Sequence, residues 1–551
     1  GATDSGDTSG EAPDDDGEDT SPTTDDGSSA SAGGSTSGNA DDTGGGDDST
    51  GGDDGQQTGE DLPPPPATGV QIVHVTADQG VRVPIVLDSA LVDGGQRNAP
   101  LLKNRGTMIR AFYELDPGFE SRDIYGILYV QQTDGTVTEH GSFVDVFEKD
   151  CTGEAEIDCR YGTLPNSFFW AVPPEEVQPG MTYRIELFET APGHEDDVSD
   201  KVPNFPADGG SMVVGIEDSY MKMRVVLVPF DHDIGAECPE PPDIAAPLGD
   251  ESDRTVSDFF AERLLSQNPV DEVEIIQHEV VRYTGSLRNA SLLGTLQQLR
   301  FQEGAPPEYY YYGVARPCDG GPDFAGVAQL GGPTMGQAGQ RVGWGVYYSN
   351  VGTTAETFVH EIGHEQGRSH IACNGEEAGV DPSYPDHPNG DLLSYGIDVF
   401  SPTSFEVHTP STHDYMTYCS DTWVSEWAYN KVVPWIAEIS SWELSDSAPE
   451  SKVALLVGTV RADGTEDWYT TVGYAPTERS DRHTVRFDLA DGTTVETPAM
   501  WTNWERSDDV NVIVPLPTAM PEVSSLAWTA DGIAHPVDRT SIASLALAPT
   551  P

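Results

Sequence analysis

The eleven residues His360-Glu-Ile-Gly-His-Glu-Gln-Gly-Arg-Ser-His370 constrain this chain more than any other stretch. His360 and His364 are four apart, so a helix sets them on one face, one turn apart, and both imidazoles reach a common point. Gly367 stands where that helix must stop and the chain must turn sharply, which suits a residue without a Cβ. The turn brings His370 back as a third nitrogen donor. Three neutral imidazoles leave the fourth position of a tetrahedral zinc ion open, the arrangement of a catalytic rather than a structural site. Glu361 lies beside the first donor and is positioned to accept a proton from water.

The residues around this segment extend the pattern. Thr354 to Glu365 reads as one helix. Further on, Asp414-Tyr-Met-Thr-Tyr-Cys419 places Met416 46 residues after His370. Taken together, the zinc motif and this turn resemble those of the metzincin peptidases, in which an extended zinc motif is followed by a Met-turn. The resemblance covers the catalytic region and is motif-specific between about 354 and 420. It implies one catalytic Zn2+ held by His360, His364 and His370, with Glu361 as general base. It makes Met416 the apolar floor beneath the metal and Tyr418 a donor to the oxyanion. The implied activity is zinc-dependent endopeptidase action on a protein or glycoprotein substrate. Ile371 follows the third His where the best-known branches carry Glu, Ser or Asp, so the subfamily stays unassigned. By the same resemblance Gly343-Trp-Gly-Val-Tyr-Tyr-Ser349, just before the zinc helix, is the upper rim of the cleft, where extended substrate adds as a strand.

Six cysteines in a chain of this composition favour disulfides. Cys373 follows His370 by three and Cys419 follows Met416 by three, so a bridge between them would tie the third-ligand loop to the Met-turn. Cys238 and Cys318 then pair by elimination, and Cys151 and Cys159 bracket a short polar loop. The stretch around Cys318 is loosely similar to a propeptide cysteine switch, but it lies inside the expected catalytic region, which favours the disulfide.

The chain divides by pattern into four segments. Residues 1–66 hold 18 Asp and Glu and no Lys or Arg, and end in four prolines. Such a segment cannot bury enough apolar surface to offset its ordering entropy and reads as a disordered acidic Gly/Ser/Asp spacer. Its Asp pairs lack the fixed Gly and terminal Glu of a calcium loop, so a Ca2+ role has no motif behind it. Residues 67–217 alternate with frequent turns, as a β-sandwich does. Residues 218–445 mix helices and strands: strands at Met223–Phe230, Val273–Val281 and Tyr309–Val314, and helices at Ser257–Leu265, Leu292–Phe301 and Trp423–Ile439. Residues 446–551 return to strands and suggest a smaller sandwich. The expected fold is multidomain α+β: an α/β catalytic domain, metzincin-like by resemblance, flanked by β-sandwich domains.

Charge narrows the partners. With 28 basic against 93 acidic residues the chain repels nucleic acid and anionic membranes. No apolar run is long enough to span a bilayer. An acidic spacer starting at Gly1 is the style of a surface lipoprotein stripped of its anchor, so an extracellular or cell-surface monomer is expected. The rival reading is a surface adhesin or glycan-binding protein, its flanking sandwiches doing the binding and the protease domain accessory.

Overall fold

The computed structural model describes residues 64–545, apart from 149–161, 195–196, 236–237, 250–252, 289–290, 319, 374, 376–378, 388, 401–404, 445–450, 505–507 and 531. The Asp pairs of the spacer and the expected Cys151–Cys159 bridge lie outside the described residues. The protein is mostly β, with four α-helices among the described residues.

The described residues begin inside the polyproline stretch. The Pro65 carbonyl accepts from Glu189 N at 2.8 Å, and Pro66 bridges to Phe188. Two sheets follow, as the alternation between 67 and 217 predicts. One runs Glu406–His408, Gly396–Asp398, Gly80–Leu87, Val70–Asp78, Thr107–Leu115, Phe168–Val172. The other runs Met212–Val213, Thr182–Glu189, Arg122–Gln131, Val137–Val146. Inward residues such as Ile124, Leu128, Trp170 and Ile185 close the space between them. Two strands of the first sheet come from beyond residue 390, so a boundary at 217 does not cut the fold. Pro63 to Pro551 forms one compact unit.

The reason is visible at Arg105, which is fully buried. Its guanidinium donates to the carbonyls of Gln79, Asn268 and Val270 at 2.8, 2.7 and 2.7 Å. One charged fork therefore ties the first sheet to the end of helix α1 (Val256–Gln267). A buried guanidinium satisfied by several carbonyls is costly to break, because the remaining groups lose both partner and water.

The central sheet holds β1 (Lys222–His232), β2 (Glu272–Gln277), β3 (Val281–Tyr283), β4 (Tyr309–Ala315), β5 (Gly326–Ala328) and β6 (Val342–Val346). Its order is β2-β1-β4-β6-β5, with β3 also on β1. All pairs are parallel except β5–β6. The expected single strand 273–281 is in fact two, broken where His278 turns out to meet Glu303 at 2.6 Å. Helix α2 (Ser291–Gln302) and helix α3 (Val351–Glu365) match their predicted spans within a few residues. Helix α4 (Glu426–Leu444) starts later than expected. Trp423 pairs as a strand residue, and Ser425 caps the helix by accepting from Ala428 N at 3.0 Å.

The rim expectation needs correcting. The segment from Gly343 is interior, flanked by β4 on one side and β5 on the other. The last strand on that side of the sheet, among the described residues, is β5, whose three residues are buried. Residues 453–544 form one continuous eight-stranded ladder that bends at Thr494–Asn503, whose first half pairs Ser480–Leu489 and second half Val510–Pro515. A curled sheet around Leu456, Phe487 and Val512, rather than two separate sheets, is the C-terminal architecture.

Candidate metal centre

Helix α3 carries two of the three expected donors. Asn350 caps it by accepting from Gly352 N at 2.9 Å, which sets where the helix begins. The helix ends at Glu365, and Gly367 follows with φ +74°. A side chain at Gly367 would also strike the Trp435 ring, with a Cβ 2.8 Å from it. That turn delivers His370, as the sequence predicts.

The three imidazoles converge. His364 Nε2 lies 3.2 Å from His360 Nε2 and 3.1 Å from His370 Nε2. His360 Nδ1 faces the Tyr415 carbonyl at 2.8 Å, and His364 Nδ1 faces the Arg368 carbonyl at 2.6 Å. A carbonyl only accepts, so both Nδ1 atoms carry a proton, and in the neutral imidazole each Nε2 presents a lone pair. Lone pairs pointed at one another at this range repel unless a cation sits among them. An ion with tetrahedral angles and bonds of roughly 2.0–2.1 Å holds its nitrogens about 3.3 Å apart. The donor set and its spacing therefore fit a metal ion, with His360, His364 and His370 as its ligands.

Glu361 is buried, and its carboxyl points at the edge strand. A Cβ on Gly326 of β5 would sit 2.6 Å from Glu361 Oε1. Glu365, one turn further on, is also buried. Burial pushes its carboxyl well above the usual range, against the pull of Arg300 and Arg341. A Cβ on Gly343 would meet its Oε1 at 2.9 Å, which is why β6 carries glycine there.

The turn from Asp414 lies beneath the helix. Met416 is fully buried, and its Sδ would be 2.4 Å from a Cβ on Gly363, so the glycine between the two helical ligands admits the thioether. Ile371 N donates to the Met416 carbonyl at 3.0 Å, joining this turn to the third-ligand loop. Cys373–Cys419 bridges the same two segments, and Cys238–Cys318 also pairs. A thiolate switch at Cys318 is thereby excluded. Tyr418 is half exposed, and its hydroxyl contacts His370 Nε2.

Sequence reasoning missed Asp414. Its Oδ1 accepts from Met416 N at 2.9 Å and its Oδ2 from Ser425 N at 3.1 Å. It thus pins the turn to the start of α4. Burial pushes its carboxyl up to about 6, against the hydrogen bonds from Ser425 and Met416. The sign follows. Below about pH 4 both folded and unfolded chains hold the proton. Between about 4 and 6 the unfolded chain loses it first, so stability falls as pH rises, by up to about 3 kcal/mol for a two-unit shift. Asp414→Asn removes this titration. The melting temperature of wild type relative to Asp414→Asn should therefore decline from pH 4 to pH 7, and a flat difference would contradict the assignment.

No protein-family model and no curated protein matches this chain.

Proposed function

We propose that the protein is an extracellular zinc-dependent endopeptidase of the metzincin type. The observation that carries the reading is the convergence of three imidazole Nε2 atoms, two of them from the helix that also carries the buried Glu361. A structural metal site would close the fourth position with another protein donor. Here no fourth His, Cys, Asp or Glu joins the three among the described residues, and the Tyr418 hydroxyl lies against His370 Nε2.

Bound zinc would supply Lewis-acid polarisation of a scissile carbonyl and make water more acidic. The protein's own groups do the rest. Glu361 takes the proton from the attacking water and returns it to the leaving amine. Tyr418, whose hydroxyl already reaches the ligand set, donates to the developing oxyanion. The edge strand β5 offers main-chain groups to an extended peptide, as strand addition requires. Met416 and the Cys373–Cys419 bridge keep the third ligand in register with the first two. The two disulfides, and the lack of a helix long and apolar enough to cross a membrane among the described residues, fit an extracellular setting.

Metal analysis of the dialysed protein should give one zinc per chain. A cleavage-site profile on proteome-derived peptides should give cuts that a chelator abolishes. Another metal in zinc's place, or no cleavage from the zinc-loaded protein, would overturn the reading.

A further inference from the structure

The seven residues Gly326–Gly332 form a strip with three neighbours. At one end Gly326 abuts Glu361 and Thr357, with a Cβ 2.6 and 2.7 Å from their side chains. At the other end Gly331 N donates to the His364 carbonyl at 3.1 Å, and a Cβ on Gly331 would lie 1.9 Å from the Glu365 carbonyl oxygen. Between them Gln329 makes an antiparallel bridge to Trp504, the residue that follows the strand Thr494–Asn503 of the C-terminal sheet. The strip therefore touches the general base, the end of the ligand helix and the C-terminal sheet within seven residues.

The grip of the C-terminal sheet is built from buried groups. Trp504 is 3% exposed and packs among Leu292, Leu293, Leu296 and Trp344, in the core of the central sheet rather than its own. Gln297 of α2 donates to the Gly339 carbonyl at 2.9 Å and lies 3.3 Å from Gln329 Oε1. Its Oε1 accepts from Asn511 Nδ2 at 2.9 Å and from the Tyr469 hydroxyl at 3.1 Å. Interlocked buried amides select one arrangement, since any shift leaves a polar group without a partner in a low-dielectric space. A module tethered for independent binding has no need of such a joint.

We infer that the C-terminal sheet is a positioning element of the substrate groove. Through Trp504 and the Gln297–Asn511 amide pair it holds Gln329, and so sets the edge strand β5 against Glu361. An extended polypeptide is then bound productively only while that sheet is seated. The inference rests on the peptidase reading for its substrate, but the mechanical coupling has its own readout.

The variants are Asn511→Leu, which removes the amide at similar volume, and Trp504→Ala, with Trp504→Phe as the conservative control. All keep the ligands and Glu361. Zinc per chain should stay at the wild-type value in each. For an extended peptide substrate, Asn511→Leu and Trp504→Ala should raise KM by about tenfold while kcat stays close to wild type, the worth of one or two strand hydrogen bonds. Amide exchange at Gly326–Ala328 should accelerate by about tenfold or more, with α3 unchanged. Trp504→Phe should restore both. Unchanged exchange at 326–328 in a folded Asn511→Leu protein overturns the coupling. So does a loss of zinc and kcat together with faster exchange throughout α3, which marks general destabilisation. If the wild type cleaves no peptide, the peptidase reading fails by itself, and the exchange measurement still decides whether the C-terminal sheet holds the edge strand.

Discussion

Glu361→Gln should leave one zinc per chain and a melting temperature near wild type, and should lower peptide hydrolysis by at least about a hundredfold, the smaller end of what a general base contributes. Gln keeps the shape and the space beside β5, where a Cβ on Gly326 would already be 2.6 Å from Glu361 Oε1. None of the three Nε2 atoms is touched. What disappears is the capacity to accept a proton. The loss should appear in kcat and in kcat/KM alike, because the group acts when the proton moves and not when the peptide binds. Wild-type rates with zinc in place would mean that another residue is the base. Equal failure of both proteins on a broad peptide library, with equal binding to a surface glycan, would favour the adhesin reading.

The centre was legible in the sequence because its geometry is local. His360 and His364 share a helical face by spacing alone, and Gly367 marks the turn that returns His370. The Cys373–Cys419 bridge was legible for a related reason: each cysteine trails a residue that must sit near the others by the same three positions. The edge strand was not. Gly326–Ala328 is three residues long, too short for an alternation to register. The stretch that did alternate, from Gly343, owes its pattern to its packed neighbours and not to solvent. Gly343 is small because Glu365 and Ala328 lie against it, and Gly345 because Tyr312 and Thr357 do.

Asp414 was missed because an acidic residue in a turn is ordinarily solvated. Its burial depends on α4 arriving with Ser425 from a later part of the chain. The joint between Gln329, Gln297, Asn511 and Trp504 was illegible for the same reason. Its members span more than two hundred residues, and each alone reads as an ordinary core or surface residue. The domain divisions, drawn from changes in pattern, could not anticipate that Gly396–Asp398 would join the first sheet.

His364→Ala should abolish activity and metal content together, and it separates a metal centre from a buried cluster of histidines. His364 is the middle donor, 3.2 Å from His360 Nε2 and 3.1 Å from His370 Nε2, and is 1% exposed. Removing it leaves two nitrogens, one on each side of a cavity where the imidazole was. Two imidazoles hold zinc far less tightly than three, so dialysed protein should carry close to none. The Arg368 carbonyl also loses its Nδ1–H partner, which loosens the turn at Gly367. Metal bound only to the folded state adds to its stability, so the wild type should lose melting temperature on chelation and His364→Ala should not. If the three histidines were merely packed, chelation would shift neither protein. Zinc retained at one per chain in His364→Ala would place the metal elsewhere and remove the basis for assigning Glu361 as the base.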